Sequence, residues 1–271
     1  MRRSDGEIVG TLAAASTMQT TARTARTVRA AGAKTVSVVA PEAAAHEPVA
    51  WAALEPRGFY AQIGRPCFLG AILLLGLPFA IAVAALIAPL NFIVFGSVSR
   101  IFFLQPRIGR RGQVFSIWKF RTMREARRSS HDSWSSGEDG LRVTRFGRFL
   151  RSSHLDELPQ LVNVLKGDMD LIGPRPEMVE VEAWAAQHVP GFIERLAIRP
   201  GLTGLAQITQ GYTGNDAVAY AEKLEINREY LHSMTFALDL SIVLRTAMWM
   251  LCGRGWSNYR LNRSAPASAR S

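Results

Sequence analysis

The sequence predicts a mainly helical, membrane-associated α/β chain with one short β-hairpin and a broken, re-entrant N-terminal membrane helix. Three observations carry this. Cys67 to Phe95 is an unbroken apolar run without a charged residue. Gly109-Arg110-Arg111-Gly112 separates two short alternating segments, as a hairpin turn does. From Arg145 onward, apolar residues recur mostly at helical spacing, punctuated by Gly and Pro.

The 271 residues divide into four expected regions: a disordered tail at 1–56, the membrane helix at 57–100, a catalytic domain at 101–258, and a second disordered tail at 259–271. The chain carries 32 Lys and Arg against 22 Asp and Glu, a net charge of +10. A basic chain with a long apolar segment favours anionic partners, among them phospholipid and nucleotide phosphates. Nucleic acid is the less suitable one, because the aromatic residues are not interleaved with the basic ones as stacking platforms. Cys67 and Cys252 have no motif neighbours, so neither a disulfide framework nor a cysteine metal cluster is indicated.

The first fifty-odd residues are rich in Ala, Thr, Val and Arg and lack a signal-type apolar core. The apolar run that follows would measure about 43 Å as a straight helix, against about 30 Å of hydrocarbon. Pro78 and Pro89 each remove a backbone donor and bend a helix. Arg57 and Arg65 precede the run, and Arg100, Arg107, Arg110 and Arg111 follow it. A spanning segment normally has unequal basic flanks. The similar flanks here suggest that both ends stay in the cytoplasm and that the helix enters the bilayer, breaks and returns, with a kinked spanning helix as the alternative.

Ile101 to Arg121 forms the expected hairpin, with Lys119 and Arg121 on one face. Arg124 to Gly140 is polar and Ser-rich and reads as a mobile loop containing an exposed His131. Arg142, Arg145 and Arg148 then repeat every third residue, a pattern for lipid headgroups or for substrate.

Arg148 to Glu177 holds the densest chemistry. Leu155, Leu158, Leu161, Val162 and Leu165 predict a buried helical face, with Asp156, Gln160 and Asn163 on another. Pro159 fits only a first turn, so the helix is expected to begin near Asp156 or Glu157. Two carboxylates then sit at the positive end of a helix, which also favours phosphate. Asp156 could be no more than an N-cap. The surrounding Arg145, Arg148, Arg151, Lys166 and Arg175 supply more cation than a cap needs. A carboxylate nucleophile in a cationic cradle suits phosphoryl transfer.

Further along, Glu177 to His188 is a short helix whose Trp184 is either a bilayer anchor or a core residue. Arg199 to Gly204 reads as a rigid loop offering backbone N–H groups and a guanidinium. Ala217 to His232 is an amphipathic helix. Thr235 to Leu251 is apolar but, at about 25 Å, too short to span comfortably.

Four ordered blocks resemble the bacterial sugar transferase family, the monotopic polyprenyl-phosphate phosphoglycosyl transferases. They are RIGRRGQVFSIWKFRTM, RVTRFGRFLR, the Arg148 to Glu177 stretch and RPGLTGLAQI. The resemblance covers about Arg57 to Asn258. It implies transfer of a sugar 1-phosphate from a UDP-sugar to undecaprenyl phosphate, with release of UMP, as the first membrane step of exopolysaccharide or glycoconjugate synthesis. It implies a catalytic domain on the cytoplasmic face of the bacterial inner membrane, in contact with lipid, and allows a homodimer. By the same resemblance Asp156 is the covalent nucleophile and a Mg²⁺ ligand, and Glu157 the base. Lys119, Arg151, Arg175, Arg199, Gln207 and Asp239 are the expected phosphate or substrate contacts. Where relatives commonly carry a serine before the membrane-helix proline and an aspartate at 225, this chain has Leu77 and Glu225. The competing class is a membrane-tethered basic binding module or an inactive scaffold.

Overall fold

The structure is a computed structural model and describes residues 49–125, 142–211 and 213–252. The expected N-terminal tail up to residue 48, the C-terminal tail, most of the polar loop with His131, and Tyr212 fall outside the described residues, whereas residues 49–56 of that tail are described and Glu55 pairs with Arg110 and Arg111 at 2.6 Å.

A single helical turn, Trp51–Leu54, precedes a π-helical turn, Tyr60–Gly64, which runs into helix α1, Arg65–Phe95. Helix α1 contains both Pro78 and Pro89 and stays helical through them, so the expected break is not an interruption of the helix. It ends at Gly96, whose φ of 69° is left-handed and suits a residue without Cβ. Together with the π-turn, Tyr60–Phe95 is long and apolar enough to cross a membrane. Leu74, Leu75 and Phe79 in its middle are each at least 74% exposed, so protein does not cover them. Its two ends behave differently. Leu69 packs with Ile172, Ile208, Tyr230 and Ile242, whereas Ile87 packs with Phe120 and Leu150.

The hairpin has the expected form. Strands β1 (Phe102–Ile108) and β2 (Val114–Phe120) pair antiparallel around the glycine turn. Arg111 and Gly112 both take positive φ there. Asn91 of α1 is fully buried and donates to the carbonyls of Ile101 and Arg121 at 3.0 and 3.1 Å. That closes the open end of the hairpin onto the membrane helix.

Helix α2, Arg145–Ser152, is capped by the Thr144 side chain, which accepts from the Gly147 amide at 2.8 Å. The next segment departs from expectation. Leu155–Gln160 is a 3₁₀ stretch with Pro159 inside it, and the α-helix proper, α3, is only Leu161–Lys166. The carboxylates therefore precede the α-helix by one 3₁₀ run. Leu155 and Leu158 pack inward as expected, on the core of Ile87, Phe120 and Leu150, but further along the faces are exchanged. Val162 and Leu165 are 37% and 60% exposed, whereas Asp156, Gln160 and Asn163 are buried. The cause is Asn163. Its Oδ1 accepts from the Trp118 amide at 3.0 Å, and its Nδ2 donates to the Ser116 carbonyl at 2.8 Å. The open edge of β2 needs partners, and this side chain supplies them. That demand turns the polar face inward.

The expected loop at Arg199 to Gly204 contains a strand instead. Strand β4, Gly201–Thr203, pairs in parallel with β3, Asp170–Ile172. The two approach so closely that a Cβ on Gly201 would lie 2.0 Å from the Gly173 amide nitrogen. Between these strands lies helix α4, Val179–His188. Trp184 belongs to the core: it stacks on His188 and meets Tyr220 edge-on, with centroids 4.5 and 5.5 Å apart. Three more helices complete the domain: α5 (Leu205–Thr209), α6 (Ala217–His232) and α7 (Phe236–Cys252). Asp216 caps α6 by accepting from the Val218 amide at 2.9 Å.

Candidate active site

The site forms where β2, the 3₁₀ run and the Gly173-Pro174-Arg175 corner converge. β2 delivers Lys119, the 3₁₀ run delivers Asp156 and Glu157, and the corner delivers Arg175. One oxygen, Oε1 of Glu157, accepts from Lys119 Nζ at 2.6 Å and from Arg175 Nη2 at 3.2 Å. Burial alone would raise the Glu157 carboxyl, but Lys119 and Arg175 more than reverse this and hold it well below the usual range. Burial also lowers Lys119, against the pull of Glu157, while Glu157 raises Arg175.

Asp156 has a different environment. It is 8% exposed, and its acidity is set by burial and neighbouring charges, with no side-chain hydrogen bond among the causes. Burial pushes its carboxyl up to about 6, against the pull of Lys119. Asp156 is therefore a weaker acid than an ordinary aspartate, although it is still mostly ionised at neutral pH. Arg151 adds to the positive field at Asp156 and is itself aimed by Thr122, whose Oγ1 accepts from Nε at 2.9 Å.

Adjacent carboxylates with opposed shifts have distinct roles. Glu157 is poorly suited to be a base, because a base works best with a pKa near the working pH. Its geometry assigns it to holding Lys119 and Arg175 in place. Asp156 is the carboxylate left uncommitted: mostly ionised at neutral pH, buried, and with no side-chain hydrogen bond shaping its acidity.

The remaining candidates lie apart from this cluster. Arg199 is half-exposed and meets Asp170 at 3.4 Å. It lines a cavity of about 450 Å³ at the base of α1, together with Arg65, Leu73 and Arg110. Gln207 is buried behind the corner, with its Oε1 2.6 Å from where a Cβ on Gly204 would stand. Asp239 is fully buried. Its two oxygens accept from Tyr60 and Tyr230, each at 2.8 Å, and Arg65 approaches at 3.5 Å. This corrects the expected substrate contact. Asp239 is a lock between the start of α1 and the C-terminal helices, with no surface to offer a ligand. Glu225 is also remote from the carboxylate pair and bonds Arg228 at 2.5 Å.

Sequence reasoning missed His154. It precedes the 3₁₀ run with φ 56°, uncommon for a residue with a side chain, and Glu157, Arg175 and Lys119 all influence its ring. Its place two residues before Asp156 was the only available signal.

Among the described residues no group of three or more His, Cys, Asp or Glu is placed to hold a metal. A divalent cation here would rely on the open oxygens of Asp156, since Glu157 is committed to two cations. Mg²⁺ fits such a site, because it commonly takes one or two carboxylates and completes its shell with substrate phosphate and water.

A sequence model of the family described as bacterial sugar transferase matches residues 66–253, well over half of the chain. The chain belongs to the bacterial sugar transferase family. Three relatives illustrate its place among bacterial sugar transferases. A UDP-N-acetylgalactosamine-undecaprenyl-phosphate N-acetylgalactosaminephosphotransferase of Aeromonas hydrophila is 37% identical over 206 residues, which is 74% of this chain and 47% of that protein. A UDP-glucose:undecaprenyl-phosphate glucose-1-phosphate transferase of Caulobacter vibrioides is 40% identical over 150 residues, covering 55% of this chain and 56% of that one. The exopolysaccharide production protein ExoY of Sinorhizobium fredii is 37% identical over 196 residues, covering 65% and 84%. The chain thus spans about half the length of the first two and most of the third.

Proposed function

We propose that the protein moves a sugar 1-phosphate from a UDP-sugar to undecaprenyl phosphate and releases UMP. The observation that carries this is the contrast between the two carboxylates: a buried Asp156 whose acidity no side-chain hydrogen bond shapes, beside a Glu157 committed to Lys119 and Arg175. The names of the relatives above, two of which act between a UDP-sugar donor and undecaprenyl phosphate, supply the substrate classes.

In the first step a carboxylate oxygen of Asp156 attacks the β-phosphorus of the donor. The bond to the bridging oxygen breaks and UMP leaves with the electron pair. In the second, an oxygen of the lipid phosphate attacks the same phosphorus, Asp156 leaves as carboxylate, and the lipid diphosphate sugar forms. Lys119, Arg151 and Arg175 offset the charge that builds on the phosphoryl oxygens. Mg²⁺ would be held by Asp156 and would add charge neutralisation at the diphosphate when bound.

The two ends of α1 support a re-entrant path. Leu69 and Ile87 both pack on the one domain that carries the site, while Leu74, Leu75 and Phe79 between them stay uncovered. A helix crossing the bilayer would carry one of those ends away from a domain on the cytoplasmic side. A bend near Pro78 keeps both ends on that side, with the site at headgroup level. This is the placement that lets a lipid-borne phosphate meet a soluble nucleotide at the inner membrane, in an exopolysaccharide pathway.

The test is incubation of the membrane-inserted protein with a β-³²P-labelled UDP-sugar and no lipid acceptor. Label retained on a peptide containing Asp156, and discharged on adding undecaprenyl phosphate, is the expected result. UMP release without any protein adduct would overturn the covalent route.

A further inference from the structure

The corner that carries Arg175 cannot hold itself. Pro174 and Pro176 have no N–H, so neither residue can close a turn with its own amide. Each carbonyl from Pro174 to Glu177 is instead held by a donor from elsewhere. The Gly201 amide bonds Pro174 O at 2.9 Å, and the Ile108 amide bonds Glu177 O at 3.0 Å. The two carbonyls between them are taken by arginine side chains. Arg195 Nη1 donates to Arg175 O at 3.0 Å, and Arg107 Nη1 donates to Pro176 O at 3.2 Å.

Both arginines are themselves anchored. Arg195 is 1% exposed, bonds Glu182 through Nη2, and lies over the Phe192 ring at 4.3 Å. Arg107 is 9% exposed and bonds Gln105 Oε1 through Nη2 at 2.7 Å. Burying two guanidiniums behind a third is electrostatically costly. A carbonyl alone could be satisfied by an uncharged donor or by water. What two arginines supply is rigidity, through a flat fork fixed at more than one point.

We propose that Arg195 and Arg107 are positioning residues for phosphoryl transfer: by gripping the backbone on either side of the Arg175–Pro176 peptide, they fix where the Arg175 guanidinium stands relative to Glu157 and the transferred phosphoryl group. Neither touches substrate. The proposal rests on the transfer reading of the site, and it goes beyond that reading by naming what sets the geometry of its cationic wall. Glu182 and Phe192 anchor the Arg195 guanidinium on its far side.

The test uses Arg195→Lys and Arg107→Lys in the full-length, membrane-inserted protein. Lysine keeps the charge but, as a compact ammonium on a flexible stem, cannot reproduce the fork. Misplacement of a group by an ångström costs about a hundredfold in rate. We expect kcat for UMP release to fall about ten- to a hundredfold, with KM for the donor within about twofold. In an Arg175→Ala background the same substitutions should cost almost nothing further, because the group they position is gone.

Val181→Ala is the control for general loosening, since Val181 is buried in the core that holds Phe192 and its aliphatic side chain can donate to no carbonyl of the corner. It should lower Tm and leave kcat nearly unchanged. Three results would overturn the proposal: unchanged kcat in Arg195→Lys, a loss matched by Val181→Ala at equal Tm, or full additivity with Arg175→Ala. Absence of UMP release from the wild-type protein on every UDP-sugar would instead remove the transfer reading, and the positioning role with it.

Discussion

Lys119 and Glu157 meet at 2.6 Å, and this contact joins the hairpin to the 3₁₀ run that carries Asp156. Both side chains are mostly buried, at 15% and 13% exposure, so neither charge is well solvated without the other. Removing one partner of such a pair costs about 3–5 kcal/mol, because the survivor is left unpaired. Lys119→Met and Glu157→Gln should each lower stability on that scale. The double variant should lose less than the sum, with a coupling of about 1–3 kcal/mol. Denaturation of the four proteins in one detergent measures it.

Asp156→Asn should abolish turnover, with UMP release falling by at least about three orders of magnitude. The same variant should take no label from a UDP-sugar. Turnover at the wild-type rate would remove Asp156 from the mechanism.

The Asp156 carboxyl, raised by burial to about 6, makes stability depend on pH in an unusual direction. A group raised on folding contributes stability that is complete below its unfolded value of 3.8 and is lost as pH rises through about 6. At pH 8 the ionised, desolvated carboxylate therefore destabilises the fold, by up to about 3 kcal/mol at 1.36 kcal/mol per unit. Asp156→Asn should melt higher than the wild type at pH 8 and lose that advantage by about pH 4. Activity should run the other way, falling below about pH 6 as the nucleophile is protonated. Thermal melts and initial rates across pH 4 to 8 check both.

Tyr230→Phe should separate structure from chemistry. It takes one donor from the buried Asp239, at a cost of about 1–3 kcal/mol for an unsatisfied acceptor. Tm should fall, while KM for donor and acceptor stays the same. A selective rise in KM would return Asp239 to the substrate site.

The re-entrant path predicts that reporters fused to the N-terminus and to the C-terminus both register the cytoplasm. A periplasmic N-terminus would leave α1 as a spanning helix.

Much of this architecture was legible in the sequence where one local signal dominates. The glycine turn at 109–112 marked the hairpin, and α6 has the expected bounds, with Asp216 capping its start. The apolar run announced α1. Three-residue strands are too short to show alternation, so β3 and β4 were invisible and Arg199 to Gly204 read as a loop. The face of α3 was misread because side-chain periodicity treats apolar as inward. The decisive fact was an unpaired strand edge that only Asn163 could reach. The nucleophile and its cations stood out as a cluster of residue types. Their division of labour did not, because it depends on which carboxylate Lys119 and Arg175 touch. Arg107 and Arg195 were hidden for a related reason: their targets are backbone carbonyls, which carry no sequence signature.

Asn91, which donates to the Ile101 and Arg121 carbonyls, and Ile87, seated on Phe120 and Leu150, give the lipid-facing helix a second duty. A soluble fragment cut at Ser99 would lose the Asn91 amide from both carbonyls and leave the hydrophobic floor bare, one residue from Lys119. The helix that would meet lipid is thus also part of the wall beneath Lys119, and cutting it away would unseat that wall.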